Sequence, residues 1–154
     1  ASVASLVADG ANLPTTLGHF DRVVVDVPCS CEGTSRKHPG LLDRPAAEHA
    51  RYRGRQRALL RKAVQLTRPG GRLVYSTCTY APEENEEIVA AALTEAAGEL
   101  RVVPLEPASL RAAPGLDRWQ GRDLPIELRG ALRVWPHHND TGGFFVALLE
   151  KADR

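Results

Sequence analysis

Three side chains able to make or break covalent bonds stand at or just past the ends of apolar runs. Cys78 follows Leu73-Val74-Tyr75-Ser76-Thr77. Asp26 ends the run Val23-Val24-Val25, and Cys29 comes three residues later, after Val27-Pro28. A thiol attacks as its thiolate, and aligned N–H groups at a strand–loop–helix junction lower its pKa. A neighbouring carboxylate works the other way, so Asp26 is assigned to substrate and not to thiol activation. The alternative for either cysteine is a small apolar residue capping a strand, since free thiols are often buried and inert. Two strand-end thiols beside an aspartate weigh more than one.

The elements that must position these groups read as α/β. Val23 to Val25 is a continuous β-branched run, as in a parallel strand buried on both faces, so strands are expected near 22–26 and 72–76. Between them, 41–68 carries a helix. Asp43 or Arg44 begins it, Pro45 suits its first position, and Leu59, Leu60, Ala63, Val64 and Leu66 share one face. Such a crossover predicts parallel neighbours, about 4.8 Å apart, and brings Cys29, Cys78 and Asp26 to one crevice. Pro69-Gly70-Gly71 is the turn into the second strand. A helix over 82–97 follows, with acidic first turns that suit the positive end of its dipole. A short outer strand is expected near 101–105 and a long surface insertion over 107–129. Gly142-Gly143 then turns into a buried strand near 144–149. At the other end, Val3 to Val7 reads as a helix end or short strand before an Asp9-Gly10 turn.

At 154 residues a single domain is expected. No apolar run approaches the roughly 18–20 residues that span a bilayer, and no secretory pattern opens the chain. Three cysteines, two of them in Cys29-Ser30-Cys31, make no disulfide framework and fit a reducing cytoplasm. A net charge of +1 excludes a globally basic coat and leaves local patches. Arg36, Lys37 and His38 lie just past Cys29, where they meet phosphates or merely form a solvated loop. Arg51, Arg53, Arg55, Arg57, Arg61 and Lys62 make either a solvated helix face or one that touches RNA. No metal is expected. Cys29, Cys31, His38, His137 and His138 lack the paired spacing of zinc ligands. There is no CxxC pair, and a Cys29–Cys78 bridge depends on their distance. His137 and His138 are candidates for a Cys–His dyad.

Three stretches carry a resemblance: DVPCSCEGTSRKHPG at 26–40, LVYSTCTYAPEENEEIV at 73–89, and RVWPHHNDTGGFFVALLEK at 133–151. Together, in this order, they resemble the RNA cytosine-C5 methyltransferases of the Sun or Fmu type. The resemblance implies a Rossmann-like, class I S-adenosylmethionine-dependent sheet whose last strand is antiparallel. It implies that Cys78 adds to carbon 6 of cytosine and that Cys29 helps to break the adduct. Asp26 would contact the base and lie near the cofactor with Pro28, and Asp9 would lie near its adenine. Arg36, Lys37 and His38 would face the RNA, ribosomal first and transfer RNA next.

The chain departs from the family pattern at Cys31, where glycine is common. It also lacks, before Asp9, the Gly-rich turn, acidic residue and lysine that serve the cofactor. Residues 1–154 are therefore expected to be the C-terminal portion of a catalytic domain without its first strands, binding cofactor weakly or not at all by themselves. The competing expectation is a non-catalytic RNA-binding or interaction fragment.

Overall fold

The computed structural model describes residues 2–43, 47–107 and 109–153. β1 (Phe20–Asp26) and β2 (Thr67–Thr77) are parallel neighbours, joined through α1 (Ala47–Leu66). In register, Val25 faces Tyr75 and Asp26 faces Ser76, so the two strands end level. The proposed helix starters Arg44 and Pro45 lie outside the described residues. Leu60, Ala63 and Leu66 of α1 are buried, with Leu59 and Val64 packed beside them, as the helical register requires.

β2 begins earlier than expected. Pro69-Gly70-Gly71 is no separate turn but an irregularity inside the strand: Phe20 pairs with Thr67, whereas Arg22 pairs with Arg72. After β2, residues 78–85, the last four of them turn, lead to α2 (Glu86–Glu95), shorter than the 82–97 expected. β3 (Leu100–Val103) then pairs antiparallel with β8 (Phe144–Lys151). β8 also lies antiparallel to β2 along Arg72 to Thr77, which bears out the reversed last strand.

The 107–129 stretch is not a plain surface insertion. β4 (Ala112–Pro114) joins the sheet through β7 (Leu132–Val134), which pairs with β8. β5 (Arg118–Trp119) and β6 (Arg122–Asp123) make a small hairpin. Leu128 enters the core with Ala131, Tyr75, Phe145 and Leu149. Sparse apolar residues hid this, because short strands need few of them. Residues 3–7 form neither helix nor strand, and their apolar side chains are exposed.

The sheet order is β1-β2-β8-β7-β4, with β3 also on β8. β1 is thus an open edge. Val23 and Val25 pack on the core, but Val24 is 75% exposed and Phe20 is also exposed. Only one face of β1 is covered among the described residues, which corrects the expectation of burial on both faces.

Candidate active site

β1 and β2 each pass the chain to a loop bearing a thiol. Cys29 Sγ lies 3.4 Å from Cys78 Sγ and 3.9 Å from Cys31 Sγ. All three sulfurs fall within 4.8 Å of one another. Cys29 is buried, Cys31 and Cys78 are half-buried, and all are free thiols. The Cys78 pKa is lowered, chiefly by the hydrogen bond from Cys29, against burial and the negative fields of Cys31 and Asp26. The Cys29 pKa is raised, first by that same bond and then by burial. These opposed directions favour Cys78 as the acceptor and the first of the pair to form a thiolate, with the proton kept on Cys29.

The acidic segment after Cys78 is what shapes this pocket. Its acidic residues fit a dipole-compensating helix start, and Glu84, Asn85, Glu86 and Glu87 are also all buried. Glu84 accepts from the Ser30 N–H (3.0 Å) and Gln56 Nε2 (2.8 Å), and Gln56 Nε2 also reaches the Pro28 carbonyl at 2.9 Å. Asn85 accepts from Thr77 Oγ1 at 2.6 Å and donates to the Thr79 carbonyl at 3.0 Å. Ser30 Oγ donates to Thr79 Oγ1 (2.7 Å), which in turn donates a hydrogen bond to Glu32 Oε2 (3.0 Å). Each thiol loop is thus pinned on both sides of its cysteine. A buried polar group costs stability unless bonded, so such a network holds its members in one geometry. Sequence reasoning missed Gln56, Glu84, Asn85 and Glu86. The available signal was their clustering around Cys78, which solvent-facing helix starts also show.

The loops also touch through backbone. The Gly33 N–H donates to the Cys78 carbonyl and the Gly143 N–H to the Gly33 carbonyl, both at 2.8 Å. A Cβ on Gly33 would come within 2.2 Å of the Gly143 oxygen, and one on Gly143 within 2.1 Å of the Tyr80 ring. Only glycine permits these approaches. Tyr80 stacks on Trp135 at 5.2 Å between ring centroids.

The other sequence candidates divide. Asp26 is exposed at the end of β1, accepts from Ser76 Oγ at 3.1 Å, and lies near enough for its charge to act on Cys78. Pro28 is exposed beside it. Asp9 caps its own turn through the Ala11 N–H at 3.0 Å and pairs with Arg55 at 2.6 Å. Arg36, Lys37 and His38 are exposed on the loop beyond Cys31. Arg36 and Lys37 border a cleft of about 460 Å³ with Thr34 and Gly142, and Asp140 pairs with Arg36 at 2.6 Å. On α1, Arg53, Arg55 and Arg61 bind Glu87, Asp9 and Glu95 of the same chain. His38, His137 and His138 do not belong to the thiol cluster. Cys31 is unusual in backbone: φ is 62° and ψ 22°, a left-handed conformation that costs a non-glycine residue about 1–2 kcal/mol. Among the described residues no helix is long and apolar enough to cross a membrane.

Comparison with known proteins decides what this arrangement belongs to. The family described as 16S rRNA methyltransferase RsmB/F matches residues 2–150. The chain belongs to this family. It is 37% identical over 146 residues to a tRNA (cytosine(49)-C(5))-methyltransferase of Pyrococcus abyssi, covering 94% of this chain and 46% of that protein. The crystal structure of a methyltransferase homolog from Pyrococcus horikoshii superposes with a TM-score of 0.73 at 32% identity, over 88% of this chain and 40% of the other. The structure of NSun6 from Pyrococcus horikoshii with SFG gives 0.74 at 29% identity, over 97% and 34%. The chain thus spans less than half the length of these relatives, and its α/β sheet is that of the family.

Proposed function

We propose that this chain carries the catalytic thiols of an S-adenosylmethionine-dependent RNA (cytosine-5)-methyltransferase, acting on ribosomal RNA first and transfer RNA next, in a reducing cytoplasm. The carrying observation is the Cys29–Cys78 pair, 3.4 Å apart at the level ends of adjacent strands and polarised in opposite directions. Cys78, the better thiolate, adds to carbon 6 of a cytosine that has left its stack, which makes carbon 5 electron-rich. Asp26 holds the base. Bound S-adenosylmethionine would supply the methyl group to carbon 5. Once Cys78 is bonded to carbon, the main cause of the raised Cys29 pKa disappears. Cys29 can then lose its own proton to solvent and, as the thiolate, accept the carbon-5 proton. The electrons left on carbon 5 expel the Cys78 thiolate from carbon 6 and release product.

The residues present fit one wall of a cofactor site. Asp26, Val24, Gly10 and Leu13 line an open depression of about 230 Å³. Asp9 serves an adenine only if Arg55 yields it. The bare β1 edge, with exposed Phe20 and Val24, supports the reading that the full protein adds strands there and completes the pocket.

Two measurements test this. Calorimetry should find S-adenosylmethionine bound by a longer natural form of the protein and weakly or not at all by these 154 residues. Tight binding by the short chain overturns the incomplete pocket, and binding by neither favours a non-catalytic RNA-binding fragment. With methyl donor and RNA containing 5-fluorocytosine, the longer form should give a covalent adduct that Cys78→Ser abolishes. On ordinary RNA, Cys29→Ala should accumulate that adduct. Adduct formation without Cys78 refutes the assignment.

A further inference from the structure

One group in the site has no part in the proposed reaction: Cys31. Its sulfur stands 3.9 Å from Cys29 and 3.2 Å from the Cys29 carbonyl, and its backbone adopts a conformation that favours glycine. The three sulfurs are drawn from two loops, which is why sequence spacing concealed them. In a tetrahedral zinc thiolate, sulfur lies about 2.3 Å from the metal, which sets sulfur–sulfur distances of about 3.8 Å. The separations here are 3.4 and 3.9 Å, with the third inside 4.8 Å.

We propose that Cys29, Cys31 and Cys78 form a three-thiolate site for a soft divalent cation of the zinc and cadmium class, and that occupancy disables Cys78. Soft thiolates select such ions. Binding releases the three thiol protons to solvent and leaves a complex of net charge −1, with the fourth position open to water. Among the described residues no histidine or carboxylate joins the group. The Asp26 carboxylate lies close enough for its field to act on Cys78, and the same field draws in a cation. An occupied Cys78 sulfur has its nucleophilic pair committed to the metal and cannot add to a base. Glycine in place of Cys31 leaves the site two thiols and a weaker trap. The cation site itself stands whether or not Cys78 methylates RNA.

The test is titration of this chain with cadmium chloride in phosphine-reduced buffer, followed by sulfur-to-cadmium charge-transfer absorbance, with zinc as competitor. One cadmium ion should bind per chain, displaced by zinc, with absorbance appropriate to three thiolates. Cys31→Gly, whose backbone suits φ of 62°, should fold as judged by circular dichroism. It should lose about a third of the absorbance and bind at least about tenfold more weakly, since even indirect ligand supports are worth that much. Equal affinity and absorbance in Cys31→Gly, or no stoichiometric binding by the unaltered chain, overturns the proposal. Because no RNA or methyl donor is present, neither result depends on the methyltransferase reading.

Discussion

Arg133 and Glu86 join β7 to the start of α2 beneath the Cys78 loop, and removing one of them tests how that loop is held. Arg133 is 4% exposed and Glu86 is fully buried. The guanidinium grips the carboxylate with two nitrogens, Nε to Oε1 at 2.7 Å and Nη2 to Oε2. Its third nitrogen, Nη1, donates to the Tyr80 carbonyl at 3.0 Å. Arg133→Met keeps much of the volume and strands a buried carboxylate whose one remaining partner among these bonds is the Leu116 N–H. Breaking a buried pair from one side costs about 3–5 kcal/mol. With a urea slope of about 2 kcal/mol per M, the unfolding midpoint falls by about 1.5–2.5 M. Arg133→Met combined with Glu86→Gln removes the stranded charge and keeps an acceptor for Leu116. The remaining loss is then about 1–2 kcal/mol, that of hydrogen bonds alone. Urea melts of the unaltered, single and double variants provide the assay. A midpoint shift under about 0.5 M for the single variant, or a double variant no more stable than the single, would refute a sealed ion pair.

Three further outcomes are expected. Iodoacetamide should label Cys78 before Cys29. Because the Cys78 pKa is lowered mainly by the Cys29 hydrogen bond, its thiolate is populated below the usual thiol range, and Cys29→Ala should move the labelling profile to higher pH. A profile that stays in place rejects Cys29 as the donor. Gly33→Ala drives a methyl into the Gly143 oxygen and should cost about 1–3 kcal/mol as overpacking while altering Cys78 labelling; a stability within about 0.5 kcal/mol of the original would mean the loops do not meet as described. Arg36→Ala with Lys37→Ala should weaken RNA binding across sequences and lower the salt slope by about 2, or about 1 per phosphate contact. An unchanged slope removes these residues from the RNA face.

Much of the frame was legible because it rests on simple regularities. The Val23–Val25 and Leu73–Tyr75 runs, with one amphipathic helix between them, gave the parallel pair and hence the meeting of Cys29 and Cys78. Two kinds of feature were not legible. Glu84 to Glu87 read as the dipole-compensating start of a helix, and their burial depends on Gln56, Arg133, Arg53 and Arg122 arriving from distant elements. Leu128, among prolines and arginines, looked like loop until β7 and β4 gave it a floor.

β8 comes later in sequence than every strand it joins, and it joins β2, β3 and β7 at once. During synthesis, Leu73 and Tyr75 therefore wait uncovered on one side of β2 until residues 144–151 emerge, a long-range closure of the kind that folds slowly and exposes apolar surface meanwhile. Gly143, which completes the backbone chain through Gly33 to Cys78, arrives in the same step. The reactive thiol is thus assembled only once residues 144–151 have emerged, and a nascent chain arrested before Phe144 would present a chaperone with an unfinished sheet and an untuned cysteine.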